Sequence, residues 1–228
     1  MNATTAPGVF ARSWLLLRAN PAIVIPGLVV GAFAAILTVV LLPASDESPL
    51  GDLVARSLVG IVQLFATIVA IAYTPGMADA AWRAGRATFA DGARAFRRDG
   101  GNVFVAMLAL FVLGFAAAIL APLTLGFSLL VYVFFCIFTM AAAVVGERPG
   151  FVAVAESARI AFARPLPTAL VVAGVLAVAL GMGAVAGLLA VAPFVGPLVS
   201  AAIVQTVVAY VVLVLVGEYR LLRGVTPL

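Results

Sequence analysis

Six apolar stretches dominate this chain, and several of them run uncharged for the roughly 20 residues needed to cross the hydrocarbon core of a bilayer. They cover residues 22–42, 53–81, 102–121, 124–145, 166–192 and 198–217. Strands of a membrane barrel would alternate apolar and polar residues over about 10 positions. These stretches are apolar on every side, which leaves the helix as the spanning element that satisfies its own backbone. Composition agrees: 65% of the 228 residues are hydrophobic and 10% charged, against about 45–50% and about 25% in soluble domains. The expectation is an all-α membrane protein, a single transmembrane domain over residues 1–228 with six transmembrane helices. The first apolar stretch follows an arginine-bearing segment and is longer than a signal-peptide core, so it is read as a helix of the mature protein.

The connections alternate in character. Residues 43–51 form a short acidic link with Asp46 and Glu47, and the links at Pro122-Leu123 and at 193–197 are uncharged and marked by proline. The remaining connections are rich in arginine, the basic residue at all thirteen positions. One side of the predicted topology holds Arg12, Arg18, Arg83, Arg86, Arg94, Arg97 and Arg98. It also holds Arg148, Arg159, Arg164, Arg220 and Arg223, leaving on the other Arg56, which can snorkel or pair with Asp52 at i−4. The positive-inside rule then places both termini on the cytoplasmic side of the membrane. A net charge of +4 has no polar domain to carry nucleic-acid binding, so its expected partners are membrane lipids, anionic ones among them.

Three times, an elbow on the arginine-rich side leads into a helical hairpin. The elbows cover residues 8–20, 88–99 and 150–164, with breaks expected at Asn20-Pro21, Gly100-Gly101 and Pro165. Their helical spacing predicts one apolar face each: Phe10, Trp14 and Leu17; Phe89, Ala93 and Phe96; Phe151, Ala155, Ala158 and Phe162. Thr88 with Asp91 three residues on reads as a capping box. Arg94, Arg97 and Arg98 share the polar face of the second elbow; together with Trp14 and Phe96 they are the expected lipid or partner contacts.

Chemistry-bearing patterns are scarce. With no His and one Cys (Cys136), nucleophile–His pairs and His- or Cys-based metal sites are excluded, and with no Lys there is no Walker-type loop. No catalytic residue, cofactor or metal is expected, and the chain is read as a non-enzyme. Its acidic residues sit at helix ends or in loops, which argues against a proton-coupled pathway. Gln63, Thr67 and Gln205 are the polar residues that would line a cavity within the bundle if one exists. Pro75-Gly76 marks a kinked end or hinge of the second span. Gly27 with Gly31, and Gly183 with Gly187, have the fourfold spacing of close helix contacts, and the first and fifth spans are expected to pair through them.

Before the fifth span the chain reads Gly146-Glu147-Arg148-Pro149-Gly150, followed by Ala155-Glu156-Ser157. This Glu-led turn, and the repeated elbow-plus-hairpin plan over nearly the whole chain, resembles a group of prokaryotic membrane proteins. The group includes the membrane domain found beside some glycerophosphodiester phosphodiesterases. The resemblance implies the same membrane fold; the phosphodiesterase catalytic domain itself is absent, so its activity does not carry over. The sequence thus points to a non-catalytic membrane protein that organises lipid or partner proteins. The alternative is a transporter or permease subunit for a lipid-like or apolar solute, since transporters are often built from repeats.

Overall fold

The computed structural model describes residues 6–41, 49–190 and 196–224. The acidic link with Asp46 and Glu47, the side chain of Asp52 and most of the turn at 193–197 lie outside the described residues. All the regular structure within them is helical: α1 (Ala6–Ala19), a 3-10 turn (Pro21–Val24), α2 (Ile25–Leu41), α3 (Pro49–Ala84) and α4 (Phe89–Leu120). There follow α5 (Phe127–Cys136), α6 (Thr139–Val144), α7 (Gly150–Ala163), α8 (Pro165–Ala190) and α9 (Gly196–Leu222). Among the described residues, five helices are long and apolar enough to cross a membrane, or six if the bent pair of α1 and α2 counts as one span. That pair turns through 94° at Asn20-Pro21. Proline has no N–H to continue the helix, and the Asn20 side-chain amide donates to the Leu16 carbonyl at the end of α1 at 3.0 Å.

The second elbow differs from expectation. Residues 88–99 and 102–121 form the single helix α4, which runs through Gly100-Gly101 without a break. A helical glycine costs about 1 kcal/mol relative to alanine. Opening a helix in an apolar setting exposes backbone groups that cost several kcal/mol each, so the helix continues. The capping box is present, with Asp91 Oδ2 accepting from the Thr88 N–H at 2.9 Å and from its hydroxyl at 2.7 Å.

The fourth span carries a break that the sequence did not announce. α5 ends at Cys136 and α6 begins at Thr139. Ser157 of α7 inserts its hydroxyl into the gap, donating to the Phe135 carbonyl at 2.7 Å and accepting from the Phe138 N–H at 3.1 Å. A side chain entering the helical ladder is a standard cause of such an interruption. Pro75 and Gly76 do not end the second span. They lie buried inside continuous α3, where Gly76 meets Ala95 and the Asp91 carbonyl of α4.

The elbows also turn a different face inward. α1 buries Val9, Ser13 and Leu17 and leaves Trp14 51% exposed. In α4 the buried positions are Gly92, Ala95 and Asp99, while Phe89 is exposed and Phe96 is half-buried with its ring 5.9 Å from Tyr73. α7 buries Ala153, Glu156, Ser157 and Ile160 and exposes Phe151 and, at 72%, Phe162. Inside a membrane there is no hydrophobic drive to bury an aromatic ring, whereas small residues let helices approach. The small face therefore packs and the aromatic face stays outward.

The expected pairing of α2 with α8 is not found. A side chain at Gly183 or Gly187 would meet no described atom within 4 Å. Gly27 and Gly31 instead face the Gln205 side chain of α9. α2 packs on α3 and α9, and α8 packs chiefly on α9.

Candidate functional site

Two features stand out once the helices are in place: an ion-paired knot that fastens the arginine-rich helix ends, and an apolar groove beside it. The knot is built from acids that the sequence placed at helix ends. Glu156 of α7 has its carboxylate 2.7 Å from Arg148 Nε and 2.9 Å from Arg223 Nε, and accepts from the Tyr219 hydroxyl at 2.8 Å. Asp79 of α3 holds Arg83 at 2.8 Å, one helical turn away, and Arg220 of α9 at 2.6 Å. Arg98 of α4 joins Asp99 at 2.8 Å and Glu147 at 2.7 Å, and donates to the Val144 carbonyl at 3.2 Å. These contacts tie α7 to α9, α3 to α9, and α4 to α6 and the turn after it.

Arg98, expected from sequence as a lipid or partner contact, is thus held by two carboxylates and a carbonyl while its side chain stays 52% exposed. Arg97 stays exposed, with Nε 3.4 Å from its own helix at the Ala93 carbonyl. Arg94 is exposed and only loosely paired with Asp91 at 3.5 Å. The Gly146–Gly150 turn is a packing node. Side chains at Gly146 and Gly150 would run into the Tyr219 hydroxyl and Val105, respectively.

One acid stands apart. Glu218 of α9 is 3% exposed, and its Oε1 has no hydrogen-bond partner among the described residues. Leaving a buried polar group unpaired costs about 1–3 kcal/mol. The apolar near-isostere Glu218→Met is therefore expected to raise thermal stability in detergent by about that amount. A fall in melting temperature would show that the carboxylate has a stabilising partner.

The groove lies between α8 and α9 and has a volume of about 620 Å³. Ala177, Gly181 and Met182 of α8 line it with Ala202, Ile203 and Thr206 of α9, and Trp14 of α1 and Tyr210 complete the wall. The rings of Trp14 and Tyr210 meet edge to face at 6.2 Å. Both hydroxyls of the lining are already committed. Thr206 donates to the Ala202 carbonyl at 2.8 Å and Tyr210 to the Phe10 carbonyl at 3.1 Å, so the groove presents an apolar wall. A smaller hollow of about 440 Å³ lies between α5 and α8, among Phe127, Phe134 and Leu176. Neither space is lined by Gln63, Thr67 or Gln205; Gln205 is packed on Gly27 and Gly31.

Trp14 was the one groove residue singled out as a contact from sequence. The signal for the rest is the opposition of Gly181 and Ala202, two small residues across a helix pair, which becomes visible only when the pairing is known. Among the described residues no group of three or more His, Cys, Asp or Glu side chains could hold a metal ion. Compared with protein-family models, with curated proteins and with solved structures, the chain matches none.

Proposed function

We propose that this chain is a non-catalytic membrane protein that organises lipid, and that the α8–α9 groove holds an acyl chain. The observation that carries the reading is the groove itself, an apolar space between two helices with two aromatic rings in its lining. Its volume falls within the roughly 300–1,000 Å³ typical of small-molecule sites. Lipid tails are as apolar as the groove wall, so hydrophobicity alone selects nothing here. Shape does: a wall with no partner atoms forfeits its dispersion contacts, and a flexible tail is the neighbour able to fill it. The outward aromatic faces of the elbows support the same reading, because amphipathic rings favour the membrane–water boundary. The arginine-rich end lies in the cytoplasm under this proposal, following the positive-inside rule.

The test fills the groove from within. Gly181 has open space around it, so Gly181→Phe adds bulk to the cavity without a clash. Gly183→Phe adds the same bulk on the same helix outside the lining. Native mass spectrometry of protein released from lipid nanodiscs is expected to show one retained lipid fewer for Gly181→Phe alone. Equal lipid counts in the two variants would remove the groove as a lipid site. The transporter alternative separates on a second readout: lipid exchange between leaflets of proteoliposomes that stops in Gly181→Phe would favour transport over static binding.

A further inference from the structure

A second space opens on the arginine-rich end, at the turn between α3 and α4. It has a volume of about 550 Å³, and its walls carry Arg83, Arg86, Thr88, Asp91 and Arg94. We propose that this cleft binds a phosphate group, most simply the phosphodiester of an anionic lipid headgroup. The proposal deepens the lipid-organising reading and rests on it for the lipid source, but it does not depend on the groove.

The charge in the cleft is positive after its internal pairs are counted. Arg83 is shared with Asp79, which Arg220 also neutralises. Asp91 spends one oxygen on the Thr88 amide and hydroxyl and touches Arg94 only at 3.5 Å. Arg86 has no ion pair or hydrogen bond among the described residues. Three guanidinium groups thus line a space with one partly committed carboxylate, and each keeps donors free. Guanidinium groups match the oxygens of a phosphate bidentately, and three of them around one space suit an anion with several oxygens.

The cleft is also held in shape before any ligand arrives. Asn20, 6% exposed at the bend between α1 and α2, reaches across to the α3–α4 turn. Its Oδ1 accepts from the Ala87 N–H at 2.7 Å, and its Nδ2 donates to the Gly85 carbonyl at 3.1 Å and to the Leu16 carbonyl at 3.0 Å. The two pinned residues flank Arg86. Gly85 itself sits at φ 72°, a conformation that side chains resist, so the turn has one favoured course. A loop fixed on both sides of its cation loses little freedom on binding, which is what raises affinity in a preorganised site.

The experiment compares two double variants with the same loss of charge. Arg86→Gln with Arg94→Gln neutralises the cleft. Arg159→Gln with Arg164→Gln removes two exposed arginines elsewhere on the same end. Each protein is reconstituted in nanodiscs of mixed phosphatidylglycerol and phosphatidylcholine, and the retained lipid is read by native mass spectrometry. A hydrogen bond to a charged group is worth about tenfold or more, so losing two guanidinium–phosphate contacts should weaken phosphatidylglycerol retention about 100-fold in the cleft variant. The matched control should lose far less, and phosphatidylcholine, the readout of the groove, should stay level in both. In parallel, delipidated protein in detergent is titrated with inorganic phosphate while its melting temperature is followed. A phosphate-dependent rise that vanishes in the cleft variant, without any lipid difference, assigns the cleft to a soluble phosphate. Equal phosphatidylglycerol loss in both variants, or no cleft-specific effect of lipid or phosphate, overturns the proposal.

Discussion

Replacing Glu156 with glutamine is expected to lower the stability of the folded chain by about 3 kcal/mol, the lower end of the cost of breaking a buried ion pair. The carboxylate is buried and serves Arg148, Arg223 and Tyr219 at once. Glutamine keeps the size but removes the charge, so two arginines lose their counter-ion together. The lower end applies because the Arg148 and Arg223 side chains are 40% and 25% exposed and can turn toward water. The contrast is Glu147→Gln. Its carboxylate pairs with Arg98 near water, at 58% exposure, and exposed pairs are worth about 0–1 kcal/mol. Thermal melting of both variants in one detergent reads the difference. If Glu156→Gln melts like Glu147→Gln, the knot does not fasten α7 to α9.

A branched side chain at Gly217 should also be strongly destabilising, by about 1–3 kcal/mol for overpacking. Gly217 of α9 faces the Trp82 ring of α3, and an added Cβ would fall on it. That ring has little room to yield. Its N–H donates to the Leu213 carbonyl at 2.8 Å, and the Arg12 guanidinium lies 4.8 Å from the ring centroid. Gly217→Val must therefore move a helix or break the indole hydrogen bond. Gly187→Leu is the control, because Gly187 has no described atom within reach and leucine is well solvated by lipid. Melting curves should separate the two; similar small losses would mean that α3 and α9 do not meet at Gly217 as described.

Glycine spacing in the sequence ranked these positions the other way. The fourfold spacing at Gly183 and Gly187 looked like an interface, whereas Gly217 has no such partner in sequence. Small-residue motifs recur by chance in a chain rich in Ala and Gly, and only the tertiary neighbour tells a packed glycine from an exposed one. What was legible was local. The Asn20-Pro21 break, the Thr88–Asp91 cap and the apolar length of the spans all follow from chemistry within a few residues. Asp79 and Arg83 were readable as a pair one turn apart, but Arg220, which completes their site, lies 141 residues from Asp79.

The elbows show a different limit. Periodicity found one apolar face with an aromatic residue on each, and in water that face would be buried. In a membrane that rule loses its force, so Trp14, Phe151 and Phe162 stay outward and Ser13, Ala153 and Ser157 pack. The interruption between α5 and α6 depends on Ser157 reaching Phe135 and Phe138, a contact between helices that no window of sequence contains. The groove has the same origin, since it is the space left where small residues of α8 and α9 oppose each other beside Trp14.

The occupant of that groove is the most direct test. An experimental map of the chain in a lipid nanodisc, resolved well enough to show side chains between α8 and α9, should contain an unbranched rod of density. The rod should run along Gly181 and Ala202 and touch Trp14 and Tyr210. A helix from a second copy seated there, or α8 and α9 closed on each other with no space between, would contradict the account.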